Sequence, residues 1–327
     1  MMKKTVCFAA VAGLLLAAAL ISMTTGSIKV GLPELIRGLI NGDNENVNVI
    51  RDLRLPRIIV SLLTGAALAA SGVLLQAVMR NPLADAGVIG ISSGAGVVSL
   101  AMVTIFPNLF FWMPFFSCLG GALACVLVYS LSWSGGLQPI RLLLVGVAIN
   151  ATFTGLGQSF NYRGSYAVTS VNQAVSSIFT MKTWEDVNIM GLYGAAGLLL
   201  ALVAASWCNT LALQDRTAAS LGFRVVRARL AVSAVAVLLA SVATAIGGLI
   251  AFVGLLVPHI ARLLVGSDHR TLLPFSILLG ALLLLVADTL GRTILAPTEI
   301  PASIIMTVIG GPFLIFMLRK RDRAYGA

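Results

Sequence analysis

Charge is distributed very unevenly along this chain. Long charge-free runs alternate with short charged loops, from Lys3 and Lys4 at the start to Arg319, Lys320, Arg321, Asp322 and Arg323 near the end. Apolar residues make up 58% of the sequence and charged residues only 10%. A bilayer core of about 30 Å needs roughly 20 apolar residues per helix. The sequence supplies about ten such runs, near 5–23, 57–79, 88–106, 114–133, 141–160, 189–208, 229–247, 249–266, 272–291 and 303–318. The fold expected is all-α, a polytopic membrane protein with about ten transmembrane helices. Residues 1–327 are read as one transmembrane domain, because no loop is long enough for a soluble domain.

Ten spans put both termini on one side. With that side taken as cytoplasm, the inner segments carry 14 of the 22 basic residues and four acids, Asp85, Asp215, Asp268 and Asp322. The outer segments hold eight of each sign, so the whole net charge of +10 lies inside. That is the positive-inside pattern. The expected location is a bacterial cytoplasmic (inner) membrane, multi-pass, with both termini cytoplasmic. The basic excess is read as orientation plus contact with anionic lipid, not as nucleic-acid binding. The run from Lys3 to Met23 resembles a signal peptide but is long enough to span and lacks a small-x-small cleavage site. It is read as the first helix. Cys7, Cys118, Cys125 and Cys208 fall in predicted spans without metal or redox spacing and read as small packing residues.

Ion-coupled carriers usually bury carboxylates or histidines in their spans. Candidates here are few. Asp288 and Arg292 stand four apart and suggest a pair on one helix face. His259 and His269 have no carboxylate neighbour in sequence. No P-loop is present, so the chain cannot hydrolyse ATP alone. No cofactor, metal or catalytic site is expected, and the energy source is placed outside the chain. Gly90-Ile-Ser92-Ser93-Gly94 matches the serine-nucleophile pattern, but that pattern requires a strand–turn–helix elbow. The surrounding small residues favour close helix packing or a pathway wall formed by Gly90, Ser92, Ser93 and Gly94. Ser61, Gly65, Ala69 and Gly72 form a similar small-residue face on the second helix.

The inner loop 209–229 contains a short amphipathic stretch, 217–223, stopped by Gly222 and bracketed by Arg216 and Arg224. One reading is a basic connector on the lipid surface. The other is a coupling helix seated in a motor subunit, through Arg216, Ala219, Leu221, Gly222 and Arg224, in a coupling segment of about 209–226.

Several strings then occur in order. Leu53-Arg54-Leu55-Pro56-Arg57, Gly65–Ala69 with Ser71-Gly72, Gln76 and Asn81-Pro82-Leu83-Ala84 come first. Gly90–Gly96, 144–148 and Ala219-Ser-Leu-Gly222 follow. The run from Gly248 through Pro258-His259 to Arg262, Ala287-Asp288, Glu299-Ile-Pro301 and Gly310-Gly-Pro-x-Phe313 complete the series. Together they resemble the iron-siderophore, haem and vitamin B12 permeases of ABC importers. The resemblance covers almost the whole chain, outside 41–48 and 161–184. It implies a permease subunit, not an enzyme, for a metal chelate: ferric siderophore first, haem second, cobalamin third. It implies a second permease subunit, two cytoplasmic ATPase subunits and an extracytoplasmic binding protein as partners. One chain with half the spans favours a homodimer. Arg54, Arg57 and Arg292 are implied in docking the binding protein, and Asn81, Pro82 and Leu83 in an inner gate. The second, third, fifth, eighth and tenth helices would lie near the path. The rival from another class is an independent ion-coupled secondary transporter.

Overall fold

The computed structural model describes residues 2–25, 31, 45–132, 139–159, 179–296 and 298–325. Among these residues the fold is helical, with ten helices of thirteen residues or longer. They are α1 (Met2–Thr24), α2 (Leu55–Met79), α3 (Ile91–Ile105), α4 (Met113–Ser132) and α5 (Pro139–Ser159). The second half comprises α6 (Trp184–Leu211), α7 (Val225–Gly247), α8 (Val253–Val265), α9 (His269–Ile294) and α10 (Ala302–Tyr325). Seven described helical stretches are long and apolar enough to cross a membrane; α3, α8 and the first part of α10 are shorter apolar helices. The expected count of about ten apolar helices is thus met. The loop residues 41–44 and 160–178 lie outside the described residues.

Helix α2 is the axis of the bundle. Twenty of its 25 residues are buried, and it packs against α6, α7, α8 and α9. Lipid tails are as apolar as leucine, so burial in a membrane comes from close packing, which small residues permit. A Cβ added to Gly65 would lie 2.2 Å from the Gly280 carbonyl oxygen of α9. One on Gly72 would lie 2.0 Å from the Gly254 oxygen of α8. The same device joins α3 to α4, where a Cβ on Gly94 would meet the Gly120 oxygen at 2.7 Å. The small-residue face read on the second helix is therefore a helix-crossing face.

Three of the boundaries that depart from the hydropathy reading have a local cause. The helix expected over 88–106 is broken at Gly90, where φ is +86°, into a turn, Ala86–Ile89, and α3. The helix expected over 249–266 begins later, at Val253. Gly248 (φ +81°) ends α7, and Phe252 takes an uncommon left-handed φ of +69° before α8 begins. Thirteen residues rise only about 20 Å, so α8 covers part of a bilayer and 248–252 is non-helical backbone beside it. Such backbone is tolerated at membrane depth only when protein surrounds it, and Gln76 Nε2 donates to the Gly254 oxygen at 3.1 Å. Third, α6 starts at Trp184 rather than 189. Thr183 and Asp186 form a reciprocal capping box there, a T-x-x-D signal close to the usual form.

Candidate functional site

The C-terminal end of α2 carries the chain into a compact polar turn. Arg80 adopts φ +49° and closes the helix. Asn81 Oδ1 accepts from the Leu83 amide at 3.0 Å, and the Ala84 amide donates to the Asn81 oxygen at 3.1 Å. Pro82 is exposed and Leu83 half-buried. An Asx-type turn of this kind fixes chain direction without a side-chain core. Asp85 then goes inward. It is 4% exposed, accepts from the Gly87 amide at 3.3 Å and lies against Gly254 of α8. Beside it, Arg262 Nη1 donates to Gln76 Oε1 at 2.6 Å. Sequence reading counted Asp85 as a loop acid. Only the return of 81–85 against α8 reveals it as buried.

The 209–226 segment meets this turn. It contains the short helix Asp215–Ser220, ended by Gly222 at φ +75° with the Phe223 amide bonded to the Ala218 oxygen at 3.2 Å. Ala218 is fully buried and holds the turn down. Arg216, Ala219, Gly222 and Arg224 are exposed, and Leu221 is 70% exposed. Leu221 is thus exposed together with the arginines that bracket it. Asp215 anchors the segment. Arg80 Nη2 donates to its carboxylate, and Arg229 Nη2 of α7 donates to the same oxygen at 3.0 Å. Arg80 Nε also donates to the Leu211 oxygen at 2.8 Å. Burial alone would raise the Asp215 carboxyl, but the bond from Arg80 and the charge of Arg229 outweigh it and hold it below the ordinary range. The turn after α2 and the 209–226 segment are thus mechanically joined through one carboxylate.

At the opposite end of α2 lies a second charged cluster. Arg57 Nη2 and Nε hold Asp288 of α9 at 2.8 and 2.9 Å, and its Nη1 holds both oxygens of Glu299 at 3.0 Å. The Arg57 side chain is 11% exposed and that of Asp288 3%. Asp288 thus bonds across helices to Arg57, in place of the expected same-helix pair with Arg292. Arg292 instead donates to α1, to the Thr25 oxygen at 2.9 Å and the Ser22 hydroxyl at 2.6 Å, while Arg54 Nη1 donates to the Met23 oxygen at 2.8 Å. All three arginines proposed for docking therefore have bonds within this chain, and Arg57 and Arg292 are largely enclosed. The sequence contained the charges but not the partners, which come from helices far apart in the chain.

The proposed pathway wall is also enclosed. Gly90, Ser92, Ser93 and Gly94 are all buried, Ser93 Oγ donates to the Gly90 oxygen at 3.0 Å, and Gly94 sits against Gly120. They are helix contacts rather than an open face. Ser92 stands in the first turn of α3, not on an elbow after a strand. A wet-looking face occurs elsewhere. Helix α5 exposes Thr154 and Gln158, one turn apart on the same face, along a mostly uncovered span. Among the described residues, no group of three or more His, Cys, Asp or Glu could hold a metal ion.

Among the described residues, a bundle of ten apolar helices with a basic turn outside it defines a class: a polytopic membrane protein. Comparison with known proteins narrows that class to a permease. The chain belongs to the FecCD transport family, which matches residues 14–320. It is 41% identical to "Probable heme-iron transport system permease protein IsdF" of Staphylococcus aureus strain MSSA476, across 98% of both chains. The relative of the same name in strain Newman is 40% identical over the same share. A solved structure described as an inward-facing metal-chelate type ABC transporter superposes with a TM-score of 0.81 at 28% identity, covering 97% of this chain and 99% of that one. PsaBC from Streptococcus pneumoniae shares the fold at TM-score 0.61 and 17% identity, covering 88% and 95%. The protein is a multi-pass bacterial membrane permease of the ABC transporter class. It is not an enzyme itself; ATP hydrolysis belongs to a separate component.

Proposed function

We propose that this chain is the permease of an importer that carries haem iron. One observation carries the choice of cargo: 41% identity to a haem-iron permease over essentially the full length of both proteins. The sequence alone put ferric siderophore first. A siderophore remains the second reading, because the solved relative is described only as of the metal-chelate type; cobalamin is third. The test is uptake in cells. Deleting the gene should abolish growth on haem as sole iron source and leave growth on ferric siderophores intact. The reverse result assigns the siderophore, and loss of neither removes the iron reading.

In this proposal both termini and the 209–226 segment are cytoplasmic, and two copies of the chain enclose the path. Cargo arrives on an extracytoplasmic binding protein. The exposed polar face of α5 supports a role in lining the path, since hydroxyls and amides are costly against lipid. The turn at Asn81, Pro82 and Leu83 is the inner gate. Arg216, Ala219, Leu221, Gly222 and Arg224 form the ATPase contact. Because Asp215 ties that contact to Arg80, a motion of the ATPase would reach the gate directly, as a rigid-body shift. Docking at the other end falls chiefly to Arg54, the least enclosed of the three arginines, with Arg57 and Arg292 holding the platform. Leu221→Asp should assemble with the ATPase poorly or hydrolyse ATP without transport. Normal coupled transport in that variant removes the contact.

A further inference from the structure

Between α4 and α7 runs an apolar groove of about 650 Å³. Leu119 and Val126 of α4 and Val237 and Leu238 of α7 form its walls. The α4 side is open: Leu119 is 54% exposed and Val126 63%. From Phe115 to Ser130 the groove follows sixteen residues of helix, about 22 Å from first to last, longer than one leaflet of a bilayer whose core is about 30 Å thick. One end differs from the rest. There Tyr129 Oη and Ser233 Oγ lie 3.3 Å apart, and Arg229 completes the lining. Arg229 uses Nη2 on Asp215, while its Nε is buried and has no hydrogen-bond partner among the described residues. Arg229 and Arg80 share the single carboxylate of Asp215, so this end carries a net positive charge.

We propose that this groove binds one anionic phospholipid, with an acyl chain between α4 and α7 and the phosphate at Arg229, Tyr129 and Ser233. Chemistry favours that occupant over a second copy of the chain. A two-fold axis in a membrane protein runs along the bilayer normal, so a symmetric partner would bring its own basic end against this one. A lipid brings the opposite charge, and basic pockets between transmembrane helices on the cytoplasmic side suit anionic headgroups. The proposal rests on the cytoplasmic placement of Arg229. Because Arg229 also holds Asp215, an occupied groove stiffens the base of the coupling segment.

The transporter complex, purified in nanodiscs of equal phosphatidylglycerol and phosphatidylcholine, would be released into native mass spectrometry. Retained phosphatidylglycerol should exceed phosphatidylcholine about fivefold, the factor for one basic residue facing an anionic headgroup. Ala234→Trp, which fills the groove, should lose the retained lipid. Arg229→Gln should keep a lipid but lose the preference, and Arg229→Lys should keep the preference; this pair decides the matter if the tryptophan variant does not fold. Equal retention of both lipids by the unaltered protein overturns the proposal. So does an unchanged preference in Arg229→Gln, or efficient disulfide cross-linking of two copies through Val126→Cys. Labelling of an Arg227→Cys variant by impermeant reagent from outside would instead fault the orientation, whatever the lipid result.

Discussion

Single residues at the α2 N-terminal end show how a membrane protein keeps charge inside. Arg57 faces two carboxylates, and a planar guanidinium can hold both in bidentate fashion. Removing it leaves Asp288 buried without a cation. Breaking one side of such a pair costs about 3–5 kcal/mol. Arg57→Ala should therefore lower the thermal midpoint of the purified permease sharply, whereas Arg51→Ala, in an exposed pair with Asp52, should leave it nearly unchanged. Glu299 adds a pH dependence. Burial alone would raise its carboxyl, but the Thr180 bond and the charge of Arg57 outweigh that and hold it below the ordinary glutamate value of 4.5. A group depressed on folding contributes stability above its unfolded pKa and loses it as pH falls through the folded one. Melting measured across an acid series should thus fall below pH 4.5, and Glu299→Gln should flatten that part of the curve.

At the scale of elements, the arrangement depends on where backbones touch. Gly65 and Gly280 place α2 and α9 carbonyl against glycine, with no side-chain tip to move aside. Gly65→Val must part the two helices, and the expected outcome is loss of folded protein by size-exclusion chromatography in detergent. Gly191 of α6 has nothing within 4 Å of an added Cβ. Gly191→Ala should be neutral, or stabilising by about 0.5–1 kcal/mol through helix propensity. Both positions are glycines inside apolar helices, and what lies opposite each decides what a side chain does there. The element carrying the coupling proposal makes its own prediction. Asp215→Asn frees Arg80 and Arg229 from their shared carboxylate. ATP turnover should persist while transport per ATP falls, measured on reconstituted transporter. A variant with unchanged coupling would show that the joint between turn and segment transmits nothing.

For the whole molecule, composition and topology decide more than any site does. The protein is a permease of the ABC class, so uptake should require ATP and the partner ATPase. Proteoliposomes holding this chain alone should show no cargo accumulation under an imposed proton or sodium gradient. Gradient-driven accumulation would restore the ion-coupled reading, with the buried Asp85 its first suspect.

The class is legible along the chain alone, because hydropathy and charge act locally. A run such as 57–79 must span, and loops rich in arginine orient the spans, whatever the neighbours are. The ordered motifs then indicated the family. The tertiary structure alone decided the partners. Asp288 pairs with Arg57 across 231 positions rather than with Arg292 four away. Gly90 turns inward against α5 and Gly94 against α4, and the loop acid Asp85 is buried against α8. Those choices depend on how helices cross, and in lipid the crossings are fixed by which small residues meet which carbonyls. That is a property of two surfaces at once, and one strand of sequence describes only one of them at a time.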